Sequence, residues 1–156
     1  MPKPIPDRCH TITPYLVVKD AAKALEFYGK AFGAMELSRM VGPDGRSIMH
    51  AELMIGDSVL FLAGEFPGME FAWVKPGQWP TLSLHLYVQD CDRVFQQAVA
   101  AGCEVVQPLE DTFWGDRYGK LRDPFGHQWA VATHQEDVSP EEMGKRAAAL
   151  YSGHGG

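Results

Sequence analysis

One pattern of helix cap, apolar stripe and turn occurs twice in this chain, at an offset of about 70 residues, and such a repeat limits the possible folds more than any other feature. Asp20 precedes Ala21, Leu25, Tyr28 and Phe32, which recur at helical spacing, and Gly33 follows them. Asp90 precedes Val94, Phe95, Ala98 and Ala101, and Gly102 follows. An aspartate in that position accepts hydrogen bonds from the free N–H groups of a helix start, and a glycine can take the left-handed conformation that ends one. The same offset carries the Gly56 turn onto the Gly126 turn.

Strand patterns surround both helices. Residues 11–18 are rich in β-branched side chains, with Pro14 restricting them to a sheet edge, and residues 82–88 alternate apolar with polar. Three further strands are predicted after each helix: 35–41, 47–55 and 58–63 in the first half, and 104–112, 116–123 and 127–133 in the second. The turns between them are Gly42-Pro43-Asp44-Gly45, Gly56-Asp57 and Asp123-Pro124-Phe125-Gly126. The predicted class is therefore α+β, with two tandem βαβββ modules at 11–64 and 81–134. Each sheet carries its helix on one face and is concave on the other, so that the two roll into a half-open barrel. A chain of 156 residues suits one core, and 11–135 is expected to form one domain. In the tail, 136–156, Ser139-Pro140-Glu141-Glu142 has the form of a capping box and opens a helix to about Leu150. The Ser-Gly-His-Gly-Gly end is expected to be unstructured.

The net charge of −6, without clustered Lys or Arg, excludes a nucleic-acid surface and leaves a small molecule or a protein as partner. Met-Pro-Lys-Pro-Ile-Pro has no apolar core for a signal peptide, and no run is long enough to span a bilayer. Cys9, Cys91 and Cys103 lack disulfide-framework spacing, so reduced thiols and a cytoplasmic location are expected. The connection 65–80 holds Phe66, Phe71, Trp73 and Trp79 among Pro67, Pro76 and Pro80, which suits either a lid over the cavity or a contact in a homodimer.

Asp123-Pro124-Phe125-Gly126-His127-Gln128-Trp129, the preceding Phe113-Trp114-Gly115-Asp116-Arg117-Tyr118-Gly119, the Glu136-Asp137 tail with Glu141-Glu142-Met143, and the doubled module together resemble the vicinal-oxygen-chelate superfamily. The similarity runs from about residue 11 to 150 and is strongest to the PhnB-like branch of glyoxalase/bleomycin-resistance proteins. The resemblance implies that metal-binding members place His, Gln or Glu at one inward position on the first and last strand of each module. Aligned on the caps and turns, those positions hold Thr13, Phe61, Ser83 and Ala130, which are not a ligand set for a divalent ion. Neither a metal nor another cofactor is expected.

Several side chains are expected to line the cavity. Tyr15 and Phe61 lie on the first and last strands of module one, His50 and Glu52 share one face of its third strand, and His85 and Tyr87 share one face of the first strand of module two. His50, Glu52 and His85 could form a hydrogen-bonded polar lining, an acid/base pair or a displaced metal site. Trp114 and Tyr118 could stack on a flat ligand or belong to the core. Arg117 could hold an anionic or carbonyl group in its fork of donors, or pair with Asp116, Asp111 or Asp123. His127 and Trp129 are read as structural, and neither Cys91 nor Cys103 has an adjacent base to make it catalytic. The function expected from these residues is metal-free binding of a small, partly aromatic molecule; the alternative is a metal-dependent glyoxalase-type lyase or isomerase using His50, Glu52 and His85.

Overall fold

The structure is a computed structural model that describes residues 1–66, 68 and 72–154. The expectations for Pro67 and Phe71 lie outside these residues. The first half contains β1 (Tyr15–Val18), α1 (Ala21–Phe32), β2 (Met35–Val41), β3 (Ile48–Ile55) and β4 (Ser58–Gly64). The second contains β5 (Ser83–Tyr87), α2 (Cys91–Ala101), β6 (Glu104–Asp111), β7 (Asp116–Arg122) and β8 (Gln128–His134), followed by α3 (Pro140–Tyr151). The strands form two four-stranded sheets of equivalent order, β1-β4-β3-β2 and β5-β8-β7-β6. In each sheet the first and last strands of the module pair in parallel and the remaining pairs are antiparallel. The fold is thus α+β, a βαβββ unit made twice.

The caps act as their residue types require. The Asp20 side chain accepts from the Lys23 N–H and that of Asp90 from the Arg93 N–H, each at 3.1 Å. Gly33, at φ 67°, closes α1 in the left-handed region. β1 starts at Tyr15 rather than at residue 11. Proline has no N–H to give the ladder, so pairing begins where the Pro14 carbonyl accepts from the Phe61 N–H at 2.8 Å, while Thr13 turns back to the His10 carbonyl. At the other end, Ser152–His154 form a short 3-10 turn where an unstructured end was expected, and Gly155 and Gly156 lie outside the described residues.

The two halves share one core. Helix α1 buries Ala24, Leu25, Tyr28, Ala31 and Phe32, and the rings of Phe32 and Tyr28 meet Trp129 of β8 at centroid distances of 4.4 and 5.4 Å. Burying side chains of this size contributes about 1.5–3 kcal/mol each. The Asp-Pro-Phe-Gly-His-Gln-Trp motif is fastened by the Asp123 carboxylate, which lies in this core. It accepts from the Tyr28 hydroxyl at 2.6 Å, the Trp129 indole N–H at 2.8 Å, and the backbone N–H groups of Phe125 and His127 at 2.9 and 3.0 Å. Four donors satisfy a charge that would otherwise be costly to bury. No helix among the described residues is long and apolar enough to cross a membrane.

Candidate functional site

Strand alternation decides which side chains leave the core. On β3, Ala51 and Leu53 belong to the core under α1, which turns His50 and Glu52 to the helix-free face. On β5, Leu84 and Leu86 pack against the core and His85 and Tyr87 point away from it. Strand register then aligns equivalent rows across the two open faces: Tyr15, Phe61, Glu52 and Ser38 in the first sheet, and His85, Ala130, Lys120 and Gln107 in the second.

The open face of the second sheet is aromatic and organised by one buried carboxylate. The ring of His85 stacks on Tyr118, at 5.5 Å and 23° between planes, and lies 4.7 Å from Tyr87. Trp114 meets Tyr118 edge to face at 5.7 Å. Behind these rings lies Asp116, 3% exposed, which accepts from the Tyr87 hydroxyl at 2.9 Å and from His134 Nδ1 at 2.7 Å. Burial pushes the Asp116 carboxyl up, but the hydrogen bonds from His134 and Tyr87, with the charge of His134 and a contribution from Trp114, outweigh it, and the net shift is downward. The bond to Asp116 raises the Tyr87 phenol, keeping it a donor, and burial lowers His85 against the opposing pull of Asp116. His134 Nε2 faces Asp137 at 2.7 Å. Both ring nitrogens face carboxylates, which only accept, so the imidazolium is favoured and the pKa is raised by Asp137 and by Asp116. Asp116 and His134 were not among the expected cavity residues. Their sign in the sequence is parity: Asp116 shares its face of β7 with Tyr118, and the Asp123–Gly126 turn sets it opposite His134.

The first sheet presents a smaller cluster. The Tyr15 hydroxyl lies 2.9 Å from His50 Nδ1, His50 Nε2 is 3.8 Å from Glu52, and Phe61 packs against both rings. A groove of about 1030 Å³ between the halves runs along β5 and the β3–β4 turn, reaching Ile12, Phe32, Leu86, His85 and Tyr87.

Arg117 is not in the cavity. Gly119 and Leu121, on its side of β7, face the helix, with Gly119 leaving no room for a Cβ beside Phe95. The Arg117 guanidinium accordingly donates to Asp92 of α2 at 3.0 Å and to Asp111 at 3.3 Å. Of the three partners expected for an ion pair, Asp111 is one and Asp116 and Asp123 are not.

The positions at which the resemblance implies metal ligands do not fit a metal. Register sets Tyr15 and His85, rather than Thr13 and Ser83, opposite Phe61 and Ala130. Phe61 and Ala130 offer no donor atom, which leaves one imidazole and one phenol. Among the described residues no three His, Cys, Asp or Glu side chains come together as a ligand group, so His50, Glu52 and His85 are not assembled into one within the chain.

The model of the Glyoxalase/Bleomycin resistance protein/Dioxygenase superfamily matches residues 8–131. The uncharacterized protein Mb0911c of Mycobacterium bovis is 43% identical over 148 residues, covering 92% of this chain and 95% of its own. Among solved structures, TioX from Micromonospora sp. ML1 is similar at a TM-score of 0.64 and 28% identity, over 80% of this chain and 98% of TioX. The PhnB protein from Bacillus cereus, titled a putative 3-demethylubiquinone-9 3-methyltransferase, shares the fold at a TM-score of 0.59 and 19% identity, over 80% and 99% of the two chains.

Proposed function

Because the chain belongs to the Glyoxalase/Bleomycin resistance protein/Dioxygenase superfamily, whose fold hosts many chemistries, we propose from its own residues that it is a PhnB-like binding protein that holds a small, flat, partly aromatic molecule without a metal. The observation that carries this reading is the ring cluster of His85, Tyr87, Tyr118 and Trp114 standing over Asp116. Tyr87 is tied to the buried carboxylate and the other rings pack on one another, so little entropy is lost when a planar guest stacks on them. The groove between the halves gives such a guest access to His85 and Tyr87. Lewis-acid chemistry at the family position would need donors that Phe61 and Ala130 lack.

The protein acts as a homodimer. Tyr15 and Tyr87 are 50% and 64% exposed on the two open faces, and a second copy laid across them would shelter both rings and complete the cavity. Sedimentation tests the assembly: a particle of twice 17.3 kDa is expected at micromolar concentration, and a 17.3 kDa particle alone contradicts it. Elemental analysis tests the metal-free reading. Purified protein is expected to hold substoichiometric Zn, Ni, Mn and Fe and to show no glyoxalase activity when metal is added. Stoichiometric metal that is lost on His50→Ala or His85→Ala would establish the lyase or isomerase instead.

A further inference from the structure

The segment 72–79 is fixed at both ends to different halves of the molecule. Near its start, the Lys19 ammonium lies 5.5 Å from the centre of the Trp73 ring, whose indole N–H donates to Glu65. Near its end, the Arg122 guanidinium covers the Trp79 ring at 4.3 Å and donates to the Gln78 carbonyl. Between these anchors Val74 packs on Gly126, where φ is +92° and an added Cβ would come within 2.7 Å of the valine. The segment is therefore a strap across the junction of the halves.

Between the strap and the sheets lies a cleft of about 610 Å³, within the range that holds small ligands. Trp73, Gln78 and Trp79 wall it on one side and Tyr15, Val17 and His127 on the other. The lining carries polar atoms on Gln78 and His127. Gln78 Oε1 accepts from the Lys75 N–H, which leaves the amide NH₂ to donate. The Val17 carbonyl can only accept, so His127 Nε2 carries the proton of that 3.0 Å bond. Lys19 and Arg122 line the adjoining cleft of about 500 Å³, which shares Trp73 and Val74 and also carries Asp20, Glu104 and the core carboxylate of Asp123. Among the described residues neither cation has a carboxylate within ion-pair distance, and each instead faces a tryptophan of the strap. Two cations set against two tryptophans can receive an anion beside a ring.

We infer that this cleft, which meets the open face of the first sheet at Tyr15 and is separate from the aromatic face of the second, is a second small-molecule site and that it takes a flat aromatic acid. The ring system lies between Trp79 and Tyr15, and the carboxylate reaches the rim where Arg122 and Lys19 stand.

Titration with 2-naphthoate and its neutral isostere 2-naphthamide tests this. The wild type is expected to bind the naphthoate about tenfold more tightly than the amide, as a charge-assisted contact predicts. Arg122→Gln removes that preference, Trp79→Ala weakens both probes, and Tyr118→Ala on the open face keeps the preference for the naphthoate. Trp79 is 57% exposed, so its removal spares the core, and thermal melting confirms the fold of each variant. Should Trp79→Ala fail to fold, the Arg122→Gln comparison decides alone. Equal affinity for the two probes, no binding of either, or loss of binding in Tyr118→Ala with Trp79→Ala unaffected would overturn the site. The last result would at the same time leave the open-face proposal standing.

Discussion

Asp116 and His134 face each other across the β7–β8 pairing with carboxylate and Nδ1 2.7 Å apart, although 18 residues separate them in the chain. The contact joins the aromatic face to the tail, because the other nitrogen of the same imidazole meets Asp137.

The pH dependence of this clamp follows from the two opposite shifts. The Asp116 pKa is lowered from 3.8, so its stabilisation is present above that value and is lost as pH falls through the folded-state pKa. The His134 pKa is raised from 6.5, so its stabilisation is complete below that value and is lost as pH rises through the folded-state pKa. The difference in Tm between wild type and His134→Gln is expected to be largest between about pH 4 and 6.5 and to shrink at higher pH. A constant difference from pH 4 to 9 would contradict the clamp.

Tyr28→Phe deletes one of four donors to a carboxylate buried in the shared core. The expected cost is about 1–3 kcal/mol, the penalty for leaving a buried acceptor undersatisfied. Urea unfolding reads it as a lower midpoint at unchanged slope. An unchanged midpoint would mean that water replaces the lost donor.

Thiol reactivity separates the three free cysteines. Burial, with Asp123 nearby, pushes Cys103 up to about 12, and Cys91 is also buried, while Cys9 is partly exposed. One rapid equivalent is expected with a disulfide reagent at pH 8, and the other two only on unfolding. A second rapid equivalent in the native protein contradicts the packing around Cys91 or Cys103.

Arg117→Ala is expected to loosen the contact of α2 with β7 and to alter affinity for an open-face ligand by less than roughly twofold, since the two surfaces lie on opposite sides of the sheet. A large loss of affinity without loss of stability would return Arg117 to the cavity.

The helices and turns were legible in the sequence because their signals are local: Asp20 and Asp90 cap, Gly33 and Gly102 close, and the apolar stripes name the buried faces. His50, Glu52, His85 and Tyr87 were assigned to the open faces for the same reason, since β3 and β5 alternate clearly. β7 gives no such signal. Its faces read Asp, Tyr, Lys, Arg and Arg, Gly, Leu, so polarity alone does not place Arg117, and only Gly119 against Phe95 and Leu121 in the core reveal the helix side. The start of β1 was missed because Pro14 weakens the ladder where β-branched residues suggest a strand. The ring contacts around Asp116 depend on pairing across strands and follow from register.

Metal-free stacking on Tyr118 and Trp114 is read by a tryptophan-fluorescence titration with phenazine, a neutral tricyclic probe, before and after exhaustive chelation. The wild type is expected to be quenched with the same Kd in both states, with much of the signal removed by Trp114→Phe and the affinity lowered about tenfold by Tyr118→Ala. Binding that disappears on chelation and returns with added divalent metal would contradict metal-free stacking.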